Sequence, residues 1–110
     1  MKQATTLSKQ EEDRLVEIIR LGQESNATEK QKKDSLKAME KLLIYLQPLV
    51  ANIALKYAAG TIHHDELIRI GNIGVRKAIL KYNPNRNFKF STYASWYIRA
   101  EIHKKLGLPL

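Results

Sequence analysis

The 110-residue sequence contains no cysteine, and only five glycines and three prolines. Without cysteine, disulfide scaffolds and thiolate zinc sites are excluded, and the composition suits a reducing compartment. The N-terminus lacks the apolar segment of a signal peptide, and the longest apolar stretches, near residues 42–45 and 49–55, fall far short of a membrane span. We therefore expect one soluble, cytoplasmic domain without membrane contact.

Residue sets that carry enzymatic or metal chemistry are also missing. No Ser-His-Asp arrangement stands out, and no glycine-rich loop could cradle a phosphate. His63, His64, Asp65 and Glu66 form the one candidate metal cluster, but the helix dipole explains acidic residues in a first helical turn. No further ligands follow at a spacing typical of zinc. The sequence predicts neither an enzyme nor a metal or other cofactor.

Acidic residues are scarce in the second half of the chain. Residues 61–110 carry nine basic and three acidic side chains, a net charge of +6, whereas residues 1–60 carry ten and eight, a net charge of +2. A basic half of this kind is expected of a protein that binds a polyanion, most often nucleic acid. Charge alone is equally consistent with a solvated surface that maintains solubility.

The hydrophobic pattern predicts helices and no strand. Ser8 and Glu11 fit a capping box for a first helix that ends at Gly22. A second helix is predicted over residues 29–45. Four of its apolar residues are expected to be buried: Leu36, Met39, Leu42 and Leu43.

Proline and glycine occur in the middle of the chain, where each disfavours a regular helix. Pro48 predicts a kink or a restart, because proline lacks a backbone N–H, and an apolar helix follows over residues 49–57. In a third helix over residues 64–82, Gly71 and Gly74 each cost about 1 kcal/mol relative to alanine. We expect another helix or a partner to approach the backbone at these two glycines.

The last helix is predicted to begin near Ser91 or Thr92, both good N-caps, and to end near Leu106, before Gly107. No internal repeat or linker divides the chain. The predicted fold class is all-α, a compact helical bundle that forms a single domain over residues 1–110.

Six of the eight aromatic residues lie between positions 82 and 97, interspersed with Arg86, Lys89 and Arg99. Rings among cations suit single-stranded nucleic acid, because bases stack on the rings while the cations hold the phosphates. An aromatic cluster is, however, more often part of a hydrophobic core. The six aromatic residues are Tyr82, Phe88, Phe90, Tyr93, Trp96 and Tyr97.

Helical geometry separates the two interpretations for part of this set. At 100° per residue, Trp96 lies about 160° from the centre of the natural buried stripe and shares a side with Arg99 and Lys104. We expect Trp96 to be exposed, whereas the geometry leaves Tyr97, Phe88 and Phe90 open to either role. The predicted buried stripe consists of Ala94, Ile98 and Ile102.

Two segments resemble the sigma-70 family of RNA polymerase sigma factors. Residues 66–78, which read ELIRIGNIGVRKA, resemble the family's core-binding segment, and residues 88–99, which read FKFSTYASWYIR, resemble its promoter-melting segment. Both occur in the family's order and spacing, and the tail 98–103 is closer to the heat-shock-type branch. The resemblance implies region 1.2-like helices over 7–45 and region 2-like helices over 46–106, with no region 3 or region 4 domain.

The resemblance implies that the domain captures flipped bases of the non-template strand of the −10 promoter element. Arg86, Phe88 and Tyr93 match the pocket for the first flipped adenine, and Tyr93 is the implied stacking platform. Trp96 and Tyr97 match the aromatic pair at the upstream fork. Lys89, Ser91, Thr92 and Arg99 are implied to support or contact the DNA backbone, Ala100 and His103 to read the last double-stranded base pair. The implied DNA-binding set is Arg86, Phe88, Lys89, Phe90, Ser91, Thr92, Tyr93, Trp96, Tyr97, Arg99, Ala100, His103 and Lys104.

The resemblance also implies protein partners. Glu66, Arg69, Ile70 and Asn72 would face the clamp helices of the beta-prime subunit in the RNA polymerase core, and an anti-sigma factor is a further implied partner. Arg69 stands where housekeeping factors carry an amide, which changes the charge at this contact and predicts weakened or altered polymerase binding. In complex with polymerase, the protein would be associated with the nucleoid.

Three functional hypotheses follow. The leading one is a transcription initiation domain that binds polymerase core and melts promoter DNA. The second is a clamp-binding module that competes with full-length factors without recognising promoters. The third is a generic basic helical binder, for which affinity should depend on salt and not on base sequence.

Overall fold

In the computed structural model, which describes residues 6–60 and 62–109, the chain folds into four helices: α1 (Lys9–Gly22), α2 (Glu29–Leu55), α3 (His64–Lys81) and α4 (Phe90–Leu106). No strand occurs within these described residues, so the predicted all-α fold is confirmed. The helices share one core, formed by the buried faces of all four.

Side-chain caps fix where the first two helices begin. Ser8 and Glu11 form the predicted capping box, and Thr28 and Gln31 form a second one at the start of α2. α4 begins earlier than predicted: its N-cap is Lys89, not Ser91 or Thr92, and the Lys89 side chain makes no capping hydrogen bond. The cap of α4 therefore has to come from elsewhere in the fold.

Of the kink or restart expected at Pro48, the restart is wrong, because α2 runs through Pro48 from Glu29 to Leu55. Proline removes one backbone donor, which leaves the carbonyl of Ile44 without its helical partner. Pro48 is exposed and the Ile44 side chain is 65% exposed, so this carbonyl lies on the side of α2 that water can reach. One turn away, Gln47 Nε2 donates to the Leu43 carbonyl at 3.0 Å, which adds a hydrogen bond beside the gap.

The continuity of α2 joins two apolar stretches that the sequence had suggested were separate. The resulting helix has an 18-residue window of mean hydropathy 1.2, so it is long and apolar enough to cross a membrane by length and composition alone. The central helix of a bundle passes the same test, and Leu42, Leu46 and Val50 pack in the core. The expected burial of Leu36 is wrong, since it is 73% exposed on the opposite side.

Helices α3 and α4 approach closely at the two predicted glycines. An ideal Cβ on Gly74 would lie 2.6 Å from the carbonyl oxygen of Tyr97, and one on Gly71 would lie 2.9 Å from Val50 Cγ1. Backbone meets backbone at Gly74, and this contact sets the position of α4 on α3. The inward stripe of α4 is the predicted one: Ala94, Ile98 and Ile102 are all fully buried.

Candidate nucleic-acid interface

Three rings on the outer side of α4 and the loop before it form one cluster, which we call the outer ring cluster: Phe88, Tyr93 and Trp96. The Phe88 and Tyr93 rings stack at 5.9 Å with an interplanar angle of 14°, and Trp96 meets both edge-on at 5.5 and 6.1 Å. Trp96 is 51% exposed, as predicted from helical geometry. The cluster therefore offers partly exposed aromatic surface.

Two of the six aromatic residues point inward instead. Phe90 is fully buried and Tyr82 is 1% exposed, and their rings pack edge-to-face at 5.2 Å. The expected contact of Phe90 with DNA is therefore wrong for this structure, because its ring is enclosed by the core. Tyr82 also contacts Phe88 and Tyr93, so the inner rings form the floor on which the outer ring cluster rests.

A pocket of about 340 Å³ opens beside the outer ring cluster. The structure brings Arg86, Phe88 and Tyr93 together in its wall, as the sequence segment had suggested. Lys81 and Asn83 also line the pocket and were missed by the sequence analysis. Their signal was available, because they flank the end of α3 and open the Asn-Pro-Asn turn that leads to Arg86. The pocket thus combines apolar rings with two cations, a composition suited to a base and its phosphate.

The Tyr93 hydroxyl is held at the rim of this pocket. It lies 3.1 Å from the Tyr97 hydroxyl and donates to the Lys81 carbonyl at 3.4 Å. Burial, followed by the hydrogen bond to Tyr97, raises the pKa of Tyr93 to about 12. Tyrosine is uncharged at neutral pH in any case, and the raised pKa keeps Tyr93 free of a negative charge that would repel phosphate at alkaline pH as well.

A second concavity, of about 310 Å³, lies further along α4 between Trp96, Arg99, Ala100 and His103. The Arg99 guanidinium donates to Ser95 Oγ at 3.3 Å. Both ring nitrogens of His103 have partners: Nδ1 is 2.7 Å from the Pro109 carbonyl, and Nε2 is 2.8 Å from the Tyr57 hydroxyl. Since a carbonyl only accepts, Nδ1 carries the proton, and in the neutral ring Nε2 accepts from Tyr57.

The remaining predicted DNA-contacting residues divide between solvent and the fold. Thr92 and Lys104 are exposed. Lys89 Nζ donates to the Leu7 carbonyl at 2.7 Å, and the backbone N–H of Ser91 donates to Glu12 Oε1 at 2.8 Å. Lys89 is thus bonded to Leu7, just before α1, and the Ser91 backbone to Glu12 of α1.

Glu12 is the main site residue that the sequence analysis missed. It is a fully buried carboxylate on α1 that accepts from the Ser91 N–H and from the Tyr45 hydroxyl at 3.0 Å. The Lys89 ammonium lies 3.7 Å from it and forms an ion pair. Its helical spacing was a signal, because positions 12, 16 and 19 share one face and Val16 and Ile19 are core residues.

The predicted protein-binding residues lie on α3. Glu66 and Arg69 form an exposed ion pair, and the hydrogen bond from Arg69 lowers the pKa of Glu66. Asn72 Oδ1 accepts from Gln47 Nε2 at 3.1 Å. Ile70 is only 7% exposed and forms the floor of a concavity of about 430 Å³, so a partner reaches it only through that concavity. This concavity also contains Glu66, Arg69, Ile73, Glu101, Lys104 and Lys105.

Metal-binding geometry is not found in the part of the chain that the structure describes. No three His, Asp or Glu side chains converge there on one point. His63 is exposed, and the His64 ring lies 3.2 Å from the Ala51 carbonyl, where it helps to join α3 to α2.

Comparison with known proteins finds a family model and related sequences that match most of the chain. Residues 42–106 match the sequence model of the family described as Sigma-70 region 2, which spans the second half of α2 together with α3 and α4. The chain is also 32% identical over 107 residues to the RNA polymerase sigma factor RpoD of Neisseria gonorrhoeae. The match covers 97% of this chain but only 17% of that relative's length.

Proposed function

The chain belongs to the sigma-70 family, in its region 2, and on that premise we propose that it is a transcription initiation domain that captures unpaired bases of the −10 promoter element. Its proposed setting is the bacterial cytoplasm, at the nucleoid when bound to polymerase. Its proposed partners are promoter DNA and the RNA polymerase core, and its action requires no enzymatic step.

The pocket beside the outer ring cluster is the observation that carries this proposal. Arg86, Phe88 and Tyr93 meet there, next to an exposed Trp96. A base flipped from the non-template strand would stack on Tyr93, and Arg86 and Lys81 would hold the adjoining phosphates. Unstacking a base costs a few kcal/mol, and stacking on a protein ring returns about 1–3 kcal/mol per base. Two or three aromatic contacts would therefore offset the cost of unstacking one base.

Further along α4, Trp96 and Tyr97 are proposed to meet the upstream fork of the bubble, with Arg99 beside the phosphates. Thr92 and Lys104 are exposed and available to the backbone. Ala100 and His103 are proposed to face the last base pair. Since both His103 nitrogens are bonded within the fold, reading a base would require His103 to release Pro109 or Tyr57.

The α3 surface around Glu66, Arg69 and Asn72 is proposed to bind the clamp helices of the beta-prime subunit. Its charged rim surrounds an apolar floor at Ile70, an arrangement common in protein interfaces. An anti-sigma factor is proposed to bind the same surface. No ring of the outer ring cluster lines the concavity at Ile70, so the cluster would stay open to DNA while this surface binds polymerase.

The proposal is tested by measuring the affinity for a −10-like single strand and for scrambled strands, across salt, with and without polymerase core. We expect the wild type to prefer the −10-like strand in the presence of core, and Trp96→Ala to weaken that binding. Equal affinity for every strand would indicate a generic basic binder. Core binding without any strand preference would indicate a clamp competitor.

A further inference from the structure

Five hydrogen bonds tie α1 and the residues just before it to residues 82–91, the segment that carries half of the residues lining the pocket. Lys9 Nζ donates to the Pro84 carbonyl at 2.8 Å, and Arg20 donates to the Tyr82 carbonyl at 2.6 Å. The Tyr82 hydroxyl donates to Asp13 Oδ1 at 2.8 Å, and Lys89 Nζ donates to the Leu7 carbonyl. The fifth joins Ser91 to Glu12.

The contact of Glu12 with Ser91 replaces a missing helix cap. An N-cap side chain normally accepts from the second or third backbone N–H of the helix. Lys89 occupies the N-cap position of α4 and has no acceptor to offer, and the first turn of α4 contains no acidic residue. Glu12 supplies the missing acceptor and the missing negative charge. Its Oε1 accepts from the backbone N–H of Ser91, the second residue of α4, and its charge lies at the positive end of the helix dipole.

Burying the charged side chain of Glu12 costs free energy, so its position in the core requires compensating contacts. A buried carboxylate is stable only when it is paired and hydrogen-bonded. Its three partners, the Ser91 N–H, the Tyr45 hydroxyl and the Lys89 ammonium, all come from outside α1. The carboxylate therefore fastens the starting point of α4 to both α1 and α2.

We propose that Glu12 is a positioning residue for DNA binding: as the external cap of α4, it sets the start of that helix and so the geometry of the outer ring cluster. Phe88 lies before the capped turn and Tyr93 within the turn that follows, so release of the cap moves one ring relative to the other. This inference rests on the proposed function for its effect on DNA, but the cap itself can be tested without DNA.

The first test is hydrogen exchange at the Ser91 amide, followed by NMR. Glu12→Ala should raise the exchange rate of Ser91 well beyond that of amides in the middle of α4. Glu12→Gln keeps an acceptor oxygen and should largely restore the protection, which a general loss of packing would not do. The matched control is Ser35→Ala, which removes another buried polar side chain, whose hydrogen bond goes to the Ile19 carbonyl of α1 and not to α4.

The second test is affinity for a −10-like single strand with polymerase core present, measured on fully folded samples. Loss of one helix cap corresponds to about fivefold in an equilibrium constant, and we expect a loss of about that size for Glu12→Ala. Ser35→Ala should bind as the wild type does, and Glu12→Gln should lie between them.

The two tests separate the failure of this inference from the failure of the proposed function. Ser91 exchange that is the same in Glu12→Ala and the wild type would overturn the cap, whatever the DNA result. If Glu12→Ala does not fold, the Glu12→Gln variant provides the test. Exchange of its Ser91 amide as fast as in a frayed helix end would overturn the inference, because this variant keeps an oxygen that can accept from Ser91. Faster exchange with unchanged strand affinity would overturn the positioning role alone, and a wild type that prefers no strand would overturn the proposed function instead.

Discussion

The Phe88 ring lies parallel to the Tyr93 ring, 5.9 Å away, although Phe88 belongs to the loop and Tyr93 to the first turns of α4. The pair is supported from below by Tyr82, whose ring is 6.4 Å from Phe88 and 5.5 Å from Tyr93. A base that stacks on Tyr93 would therefore meet a surface whose orientation is fixed before binding. Such preorganisation lowers the entropy cost of capture.

Replacing Tyr93 by alanine should remove most discrimination at the flipped base. One stacking contact is worth about 1–3 kcal/mol, so affinity for the −10-like strand should fall about 5- to 150-fold. Tyr93→Phe is the matched control, because it keeps the ring and removes only the hydroxyl. Discrimination that survives in Tyr93→Ala, measured by competition between −10-like and base-substituted strands, would contradict the stacking role.

Replacing Arg69 by glutamine should strengthen binding to the polymerase core. The Arg69 guanidinium is paired with Glu66, so a basic group on a partner has to displace it to reach that carboxylate. Exposed pairs contribute about 0.2–1 kcal/mol, which corresponds to a gain of up to about fivefold. Titration of fluorescently labelled variants with core measures the change. The control Glu66→Gln should lose affinity, and weaker binding of Arg69→Gln would refute the idea.

Replacing Gly74 by alanine should destabilise the fold, although alanine favours a helix by about 1 kcal/mol. The added Cβ would lie 2.6 Å from the Tyr97 carbonyl oxygen and 2.9 Å from Ile98 Cα, so α4 has to move away from α3. We expect a net loss of about 1–3 kcal/mol in the free energy of unfolding, measured by urea denaturation. In Gly60→Ala nothing lies within 4 Å of the new atom, and the change should stay within about 0.5 kcal/mol.

Stability should fall at alkaline pH because the folded state keeps tyrosines protonated. Burial, and then the hydrogen bond to Asp13, raises the pKa of Tyr82, and burial raises that of Tyr93 to about 12. Both ionise near pH 10 in the unfolded chain, which therefore releases protons first as pH rises. The contribution is complete below pH 10 and declines from pH 10 towards the folded-state pKa values.

Urea midpoints between pH 8 and 11.5 would show this decline, with tyrosine ionisation followed by its absorbance near 295 nm. Tyr82→Phe should flatten the alkaline slope while lowering stability at pH 8, because Asp13 loses its buried donor. A slope that does not change in Tyr82→Phe would show that other groups cause the decline.

Most of the fold was accessible to sequence reasoning because the signals were local. The Ser8 capping box, the two glycines of α3 and the buried stripe of α4 all depend on residues within a few turns of one another. Pro48 misled the prediction because a helix can continue through a proline when the freed carbonyl faces water and the flanking turns pack in the core, as Leu46 and Val50 do here. That condition depends on which side of α2 faces the core, and the sequence pattern there was ambiguous.

The residue types of the candidate site were predictable from the sequence, but the contacts between them were not. The segment 88–99 indicated rings, cations and an outward Trp96, since a helix fixes the angles between its own residues. The engagement of Lys89 and the cap from Glu12 depend on contacts between residues about 80 positions apart. The inward turn of Phe90 depends on the core that all four helices share. The family, the all-α class and the direction of Trp96 were thus determined by the sequence alone. Only the tertiary structure decided which charges are free for DNA, because pairing a buried charge depends on what the fold brings within hydrogen-bonding distance of it.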